Sequence, residues 1–424
     1  MGMKEGAKLL AAAAAAVLLV QIHRKEKERL ALGWAGYGAH ILGLEPGGAG
    51  RKEYLDRLRF LAAVLVILVH SMEGAASGIF AGQADVPFSA PPVSWYVLTG
   101  LSGVGLCCNL LFVMISGALL LPFRQESVGT FYRKRFSKVL LPLVLYYVFY
   151  LRRSGLVSFS SPASIGNALK TVLSGPVELV PHFWLVYVMT GLYIGVPFLR
   201  YLFKALPERA LEGMAAVILA GSAAKTACYA AGISFGFDSF LFSWTGIFIL
   251  GYFLTCPCSR KYRKWILTGG GLASLAVFVL FCVREDAAAV AANDSPLMIL
   301  TASAVFLLFI IREEKNNEAG RRRMSGRLGA LGRGIARVIG RYSYSILLIH
   351  WYMLFVVVEN HMKISPAQMP GAFLWAGILL QTGAALALSL IFAVIFDQTA
   401  GVLALWVWEK VTAVFGGSAQ PPTR

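Results

Sequence analysis

Long apolar segments, separated by short polar ones, constrain the fold of this chain more than any other feature of its sequence. Of its 424 residues, 57% are hydrophobic and 14% are charged, whereas a soluble domain carries about 25% charged residues. Because a membrane-spanning helix needs about 20 mostly apolar residues, we predict an all-α polytopic membrane protein with about ten transmembrane helices in one bundle. The segments, several of marginal length, lie near residues 58–76, 94–121, 138–151, 182–203, 211–231, 238–255, 265–283, 296–311, 342–358 and 372–394.

The basic residues gather in every second loop between these segments. The chain has a net charge of +17, and its Lys and Arg residues concentrate in the loops at 133–138, 260–264 and 312–341. Because cytoplasmic loops carry the excess of Lys and Arg, we predict that these loops and both termini are cytoplasmic, in a multi-pass protein of the cell membrane. Membrane topology therefore accounts for the positive charge, and we predict no nucleic-acid partner. For the longest loop we expect contact with anionic membrane lipids, and donor phosphates are the alternative.

The pattern divides the chain into three parts. Residues 1–50 form an N-terminal extension, whose apolar run at 9–22 is shorter than the roughly 20 residues that span a bilayer and forms at most an extra short membrane segment. A glycine-rich linker at 43–50 ends the extension. We predict a transmembrane domain at 51–410 and a polar cytoplasmic tail at 411–424.

The first apolar segment carries charged residues at its start and a histidine within it. Asp56, Arg57 and Arg59 precede the apolar run, and His70 lies where a membrane helix is normally free of ionisable groups. Such groups are costly in a membrane and are read as functional. Arg59 and His70 are eleven residues apart, which places them on one helix face about 16 Å apart. One ligand of that length would contact both.

Five motifs along the chain resemble the acyltransferase-3 family of integral membrane O-acyltransferases, which includes enzymes of the surface polysaccharide type. The first is Leu55-Asp56-Arg57-Leu58-Arg59 together with His70, with ten residues between Arg59 and His70. The others occur in the order expected for the family, from the first core helix to the last helices. They are FVMISGALL at 112–120, RKRFSKVLLP at 133–142, HFWL at 182–185 and YSILLIH at 344–350.

The resemblance implies an acyltransferase that takes an acyl group from acyl-CoA on the cytoplasmic side. We expect the group to be acetyl, the donor acetyl-CoA, and the acceptor a hydroxyl of a surface or secreted carbohydrate of the cell envelope. A transporter or flippase of an acylated or lipid-linked compound is the alternative, although the inverted repeats common in transporters are not visible. A catalytically inactive sensor is a third, weaker possibility. The sequence leaves the acceptor, the acyl length and the oligomeric state open.

Acyl transfer to a hydroxyl needs a base or a nucleophilic carrier, and charge stabilisation. His70 suits either role, since burial favours the neutral imidazole. Glu73, one turn later, would orient the ring by accepting its other N–H, and a solvated carboxylate is the alternative. Asp56 is the third residue that we assign to catalysis, because it can pair with Arg59 and fix it. The cysteines lack metal-ligand spacing, so we expect no metal.

The remaining candidates bind donor or acceptor. Guanidinium groups bind phosphates in bidentate fashion, so we predict that Arg59 binds the donor phosphates. Arg133 and Arg135 are further donor candidates, and a purely topological role is their alternative. The family motifs add five substrate-binding candidates, for which close helix packing or the aromatic belt at the membrane interface are the alternatives. These candidates are Ser116, His182, Trp184, Tyr344 and His350.

Overall fold

The computed structural model describes residues 3–45, 52–81, 93–158, 161–237, 240–284, 286–318, 327–369 and 373–415, and within these ranges it contains helices and no strand. The helices are α1 Met3–Arg29, α2 Trp34–Leu42, α3 Glu53–Ala81, α4 Val93–Gly105, α5 Cys107–Leu120, α6 Val128–Arg135, α7 Leu141–Arg153, α8 Pro162–Ser174, α9 Trp184–Ala205, α10 Glu208–Ala230, α11 Trp244–Phe253, α12 Arg263–Val283, α13 Ala287–Val290, α14 Pro296–Glu318, α15 Arg327–Trp351, α16 Leu374–Phe396 and α17 Val402–Phe415. Three π-helical turns join consecutive helices or extend them, at Phe136–Leu140, Tyr352–His361 and Asp397–Gly401.

The predicted class, an all-α polytopic membrane protein, is confirmed. Within the described ranges, eight helical stretches are long and apolar enough to cross a membrane. They coincide with eight of the ten predicted segments. The other two segments hold shorter helices, α7 with 13 residues and α11 with ten. Length and composition therefore support fewer than ten complete crossings.

Parts of the predicted termini and loops lie outside the described residues. These are residues 46–50 of the linker, residues 319–326 of the longest basic loop, and the tail from 416 onward. The short apolar run at 9–22 lies within the longer helix α1. The start of the segment predicted at 238–255 also falls outside the described part, at residues 238 and 239.

Two glycines let α5 and α11 pack backbone against backbone. A Cβ built on Gly117 would lie 1.8 Å from the carbonyl oxygen of Phe248, and one on Gly251 would lie 2.2 Å from that of Met114. Small residues allow such close approach of membrane helices. The neighbouring Ser116 instead hydrogen-bonds to the Phe112 carbonyl at 3.0 Å and to the Tyr193 hydroxyl at 2.9 Å. Gly117 therefore provides the close packing that the sequence suggested for Ser116.

Replacing Gly117 by Ala is expected to destabilise the protein. A backbone carbonyl cannot rotate away as a side chain does, so we expect the upper end of the about 1–3 kcal/mol typical of overpacking, or more. Gly191→Ala is the control, because a Cβ at Gly191 would meet nothing within 4 Å. Thermal unfolding of the purified proteins in detergent measures the effect. Equal melting temperatures of Gly117→Ala and the parent would contradict this account of the α5–α11 contact.

Ion pairs join the helix ends at one end of the bundle, which we call the ion-paired end. They connect the start of α3 to the end of α14 and to the first half of α15, and the start of α12 to the end of α14. The pairs are Arg57 with Glu313, Arg337 with Glu53 at 2.7 Å, and Arg263 with Glu314 at 2.6 Å. Residues from the basic loops at 260–264 and 312–341 thus meet here, next to the first turns of α3. Arg59 lies at this end.

Candidate functional site

Helix α3 carries both Arg59 and His70 without interruption, since it is helical from Glu53 to Ala81. The two residues therefore lie on one face of a continuous helix, and the helix rise separates their Cα positions by about 16 Å. A cavity opens against this face at each of the two residues. The cavity at Arg59 lies at the ion-paired end, and the cavity at His70 lies further along the bundle.

The cavity at His70, which we call the histidine cavity, has a volume of about 410 Å³. Ligand sites commonly have volumes of about 300–1,000 Å³. Four helices and the turns before α5, α9 and α14 contribute to it, so its wall is assembled from parts of the chain that are distant in sequence. The lining residues are Val66, Val69, His70, Leu106, Cys108, Asn109, Pro181, His182, Trp184, Leu185, Asn293, Leu347 and Trp351.

His70 and Glu73 form the pair that the sequence predicted. Nδ1 of His70 lies 3.2 Å from Oε2 of Glu73. A carboxylate only accepts hydrogen bonds, so Nδ1–H donates and Nε2 is left with a free lone pair in the neutral ring. The His70 side chain is 22% exposed, which leaves it accessible from the cavity. This arrangement suits a base or a nucleophile, and its catalytic role stays a prediction.

The structure brings two further predicted histidines to His70. The His350 ring stacks on His70 with centroids 5.5 Å apart, and the His182 ring lies 5.0 Å from His350. Nδ1–H of His350 donates to the Leu347 carbonyl at 2.8 Å, and Nε2–H of His182 donates to the Leu348 carbonyl at 3.1 Å. The other ring nitrogens, Nε2 of His350 and Nδ1 of His182, are buried acceptors for which the described residues provide no hydrogen-bond partner.

Trp351 contacts two of these three histidines, and it was not among the residues predicted from the sequence. Its ring meets His70 edge-on at 5.1 Å and stacks on His182 at 5.7 Å. A π-helical turn starts directly after it, at Tyr352. Such turns are rare and often occur at functional sites. The sequence signal was only its position next to His350, because an aromatic residue near a helix end is usual in membrane proteins.

Polar and aromatic groups that can bind a hydroxylated ligand also line the histidine cavity. Trp184, one of the predicted substrate residues, is among them. Asn109 and Asn293 were missed, and the Asn109 amide donates to the Asn293 side-chain oxygen at 3.4 Å. Single asparagines carry little signal in a sequence. The contact between Asn109 and Asn293 depends on the packing of α5 against the turn before α14.

The second cavity, which we call the basic cavity, has a volume of about 540 Å³. Arg59 and Asp56 line it and hydrogen-bond to each other at 3.2 Å, as predicted. The lining contains four basic side chains and one carboxylate, so it favours anions. The lining residues are Gly43, Lys52, Leu55, Asp56, Arg59, Ala118, Leu119, Pro122, Arg124 and Arg341. Lys52 and Arg124 were missed as ligands, because basic residues near helix ends are expected from topology alone. Arg341 ends the basic loop at 312–341, for which donor phosphates were the alternative to lipid contact.

Arg133 and Arg135 line neither cavity. Both lie in the last turn of α6, and the guanidinium carbon of Arg135 lies 5.3 Å from the centre of the Phe131 ring. Burial lowers the pKa of the Arg135 guanidinium. Arg200 of α9 contacts the same ring and pairs with Glu126 at 3.1 Å. Arg135 and Arg200 thus help to fix α6 on the bundle. The role of Arg133 and Arg135 in donor binding stays a prediction.

Glu126 connects Arg200 to the loop before α6. Burial alone would raise the pKa of its carboxyl group, but hydrogen bonds from Lys134 and Arg200 outweigh that effect and hold the pKa below its usual range. The carboxylate is therefore ionised near neutral pH and pairs with both cations. It also explains why Arg200 is tolerated in a buried position, since a buried charge is stable when it is paired.

Tyr344 and Ser116 also lie away from the two cavities. The Tyr344 hydroxyl donates to the Val139 carbonyl at 2.8 Å, which links α15 to the π-helical turn before α7. A carboxylate that the sequence analysis did not assign, Asp397, accepts hydrogen bonds from Ser345 at 2.5 Å and from Tyr146 at 3.1 Å. These contacts connect α15 and α7 to the end of α16. They explain the polar residues of α15 that face away from His70.

The described residues contain no group of three or more His, Cys, Asp or Glu side chains that could hold a metal ion. Comparison with known proteins gives one match. A family model described as an acyltransferase domain matches residues 52–397, which include α3 to α16 and every lining residue of the two cavities except Gly43. No curated protein and no solved structure matches the chain.

Proposed function

The chain belongs to the acyltransferase-3 family and is a multi-pass membrane protein, and from this premise we propose that it transfers an acetyl group from acetyl-CoA to a hydroxyl of a surface or secreted glycan. One observation carries the proposal. The basic cavity and the histidine cavity open on the same face of α3. A donor with anionic phosphates at one end and a reactive thioester at the other fits two such sites.

The length of the donor supports this arrangement. The pantetheine arm between the diphosphate and the sulfur has a chain about as long as four amino-acid residues, which reaches roughly 14 Å when extended. Arg59 and His70 are separated by about 16 Å along α3. Phosphates bound at Arg59 would therefore place the thioester close to the imidazole of His70.

In this proposal the His70–Glu73 pair carries out the proton transfer. The acceptor hydroxyl oxygen attacks the thioester carbonyl carbon, and its proton moves to Nε2 of His70, which the Glu73 contact leaves free. The C–S bond then breaks, and the coenzyme A thiolate takes the proton from His70. If His70 is instead an acyl carrier, Nε2 attacks the thioester first and the C–S bond breaks to release the thiolate. The hydroxyl oxygen then attacks the acylated ring, the acyl C–N bond breaks, and the hydroxyl proton passes to the thiolate. Glu73 orients the imidazole in both cases.

The acceptor would enter the histidine cavity from the side away from the basic cavity. Amide groups of Asn109 and Asn293 suit hydrogen bonds to sugar hydroxyls, and the Trp184 ring offers a flat apolar surface. Trp184 and Trp244 lie with ring centroids 5.1 Å apart. Such a mixture of a few polar groups with aromatic surface is typical of small-molecule sites.

The test supplies membranes that contain the protein with acetyl-CoA labelled in the acetyl group. We expect label in the carbohydrate fraction, in an alkali-labile ester, at a rate that depends on the protein. Membranes without the protein are the control. Label that crosses the membrane but stays in acetyl-CoA, or in another unaltered compound, would contradict the proposal and favour the transporter or flippase that the sequence left as the alternative.

Orientation in the membrane can be tested separately. We expect reporter fusions after Gly129 and after Arg327 to indicate the cytoplasm, because these sites adjoin the basic loops. A fusion near Gln83, outside the described residues, should indicate the opposite side. The same result would place the basic cavity and both termini in contact with the cytoplasm, where acyl-CoA is made. A non-cytoplasmic signal after Arg327 would contradict this topology.

A further inference from the structure

The N-terminal extension, residues 3–45, docks on the transmembrane domain through a defined set of hydrogen bonds. The extension lies outside the residues that the family model matches. His23 of α1 bridges two elements, with Nδ1 2.9 Å from the Tyr37 hydroxyl and Nε2–H donating to the Gln398 carbonyl at 2.9 Å. The Tyr342 hydroxyl donates to the Ile41 carbonyl at 3.1 Å. We call these contacts the docking network.

Both tyrosines of the docking network, Tyr37 and Tyr342, are buried. Tyr37 is 5% exposed, and the Gln398 amide donates to the Tyr342 hydroxyl at 3.2 Å. Tyr342 therefore contacts the extension and the π-helical turn after α16 at the same time. Hydrogen bonds of such buried side chains define one arrangement, because leaving a buried partner unpaired is costly. The extension is thus a packed part of the structure.

Docking brings the end of α2 to the basic cavity. Gly43, which follows α2, lines that cavity together with Arg341. Its φ of +71° is one that a residue with a side chain rarely adopts, and a Cβ there would lie 3.0 Å from Cδ of Arg341. The stem of Arg341 therefore rests directly on the backbone of the extension. Arg341 also directly precedes Tyr342 of the docking network.

We propose that the extension completes the donor site, by closing one wall of the basic cavity and holding Arg341 against Gly43 for contact with the phosphates of a nucleotide thioester. The inference rests on the proposed function, in which that cavity binds acetyl-CoA. A guanidinium that is already held in place loses less freedom when it binds a phosphate, so docking raises donor affinity. Gly43 supplies the wall, and Arg341 supplies the charge.

The test measures the dissociation constant of coenzyme A for purified protein in lipid nanodiscs. Tyr342→Phe and His23→Leu each remove contacts of the docking network. We expect each to weaken binding roughly three- to tenfold, the effect of losing one or two neutral hydrogen bonds, and to leave kcat at saturating acetyl-CoA unchanged. Two variants are matched controls. Tyr132→Phe loses a hydrogen bond from the hydroxyl to the Ile194 carbonyl, and His361→Leu loses one from ring Nδ1–H to the Val356 carbonyl.

A second measurement uses the unaltered protein. If docking of the extension strengthens coenzyme A binding, then coenzyme A must strengthen docking by the same factor. We therefore expect saturating coenzyme A to slow amide hydrogen exchange in residues 34–44. Weaker binding of the two variants without slower exchange in the parent would mean that the substitutions act in another way, and would overturn the proposal.

Arg59→Ala separates failure of this inference from failure of the proposed function. If Arg59→Ala weakens coenzyme A binding and the docking variants do not, the basic cavity binds the donor and the extension has no part in it. If Arg59→Ala also binds like the parent, the donor site itself is wrongly assigned, and the proposed function loses its donor cavity. The inference stands only if all three variants weaken binding and the two controls do not.

Discussion

Protein in which His70 is replaced by Gln is expected to insert in the membrane, bind acetyl-CoA and transfer almost no acetyl. Glutamine is close in size to histidine and retains hydrogen-bonding groups, but it cannot take the hydroxyl proton. Loss of a general base lowers the rate by typically about 10² to 10⁴, and loss of an acyl carrier lowers it further. Initial rates of labelled acetyl transfer, at equal amounts of purified protein, measure the effect.

His361→Gln is the matched control for this substitution. His361 is exposed and lies in the last turn of the π-helix that follows Trp351, away from the lining of both cavities. We expect its transfer rate to equal that of the parent. Transfer by His70→Gln at a rate near the parental one would remove His70 from the chemistry.

The second large effect is expected at Arg59. Replacing it by Ala should raise the dissociation constant of acetyl-CoA about 10- to 100-fold, because hydrogen bonds to charged groups contribute about 1.5–3 kcal/mol. Asp56 holds the Arg59 guanidinium at 3.2 Å in the wall of the basic cavity. Arg59→Lys should restore only part of the affinity, since the ammonium lacks the bidentate geometry. Titration of the purified variants with acetyl-CoA measures both.

Arg260→Ala controls for the general loss of positive charge. Arg260 lies at the ion-paired end, where it pairs with Glu314, and its side chain is 67% exposed. It does not line the basic cavity. A similar loss of affinity in Arg260→Ala and Arg59→Ala would attribute donor binding to the overall charge of this end and would contradict a specific phosphate contact.

The local part of the site could be predicted from the sequence because it lies within one helix. The helical repeat alone places Arg59 and His70 on one face, and it brings Glu73 and Asp56 within reach of them as neighbours one turn away. The structure contains both contacts. Helix class and membrane character followed from apolar length in the same way, apart from the two short segments that hold α7 and α11.

The rest of the site depends on contacts between distant parts of the chain. His182 and His350 were named only through family motifs, and nothing in their local sequence shows that they meet His70. Trp351 was missed because an aromatic residue at a helix end has an ordinary explanation in the membrane interface. Arg341 belongs to the basic loop at 312–341, for which donor phosphates were only the alternative, since topology already accounts for its charge. Tertiary packing decides which of these residues reach the site, and a local sequence pattern does not encode it.

The extension shows the same limit more clearly. Its short apolar run and basic residues predicted at most a peripheral segment. The contacts that dock it are single side chains and backbone carbonyls, such as His23 to Gln398 and Tyr342 to Ile41. None of these pairs has a sequence signature, because a carbonyl acceptor exists at every position. Only the folded chain reveals that the end of α2 reaches the basic cavity.

The central claim is that one donor molecule occupies both cavities along α3, and a structure of the protein with a non-hydrolysable thioether analogue of acetyl-CoA tests it most directly. His70→Gln protein is suitable as well, because it should bind the donor without turnover. We predict that the phosphates contact Arg59 in the basic cavity and that the acetyl group lies beside residue 70 in the histidine cavity. An analogue bound with its phosphates away from Arg59, or with its acetyl group outside the histidine cavity, would contradict the account.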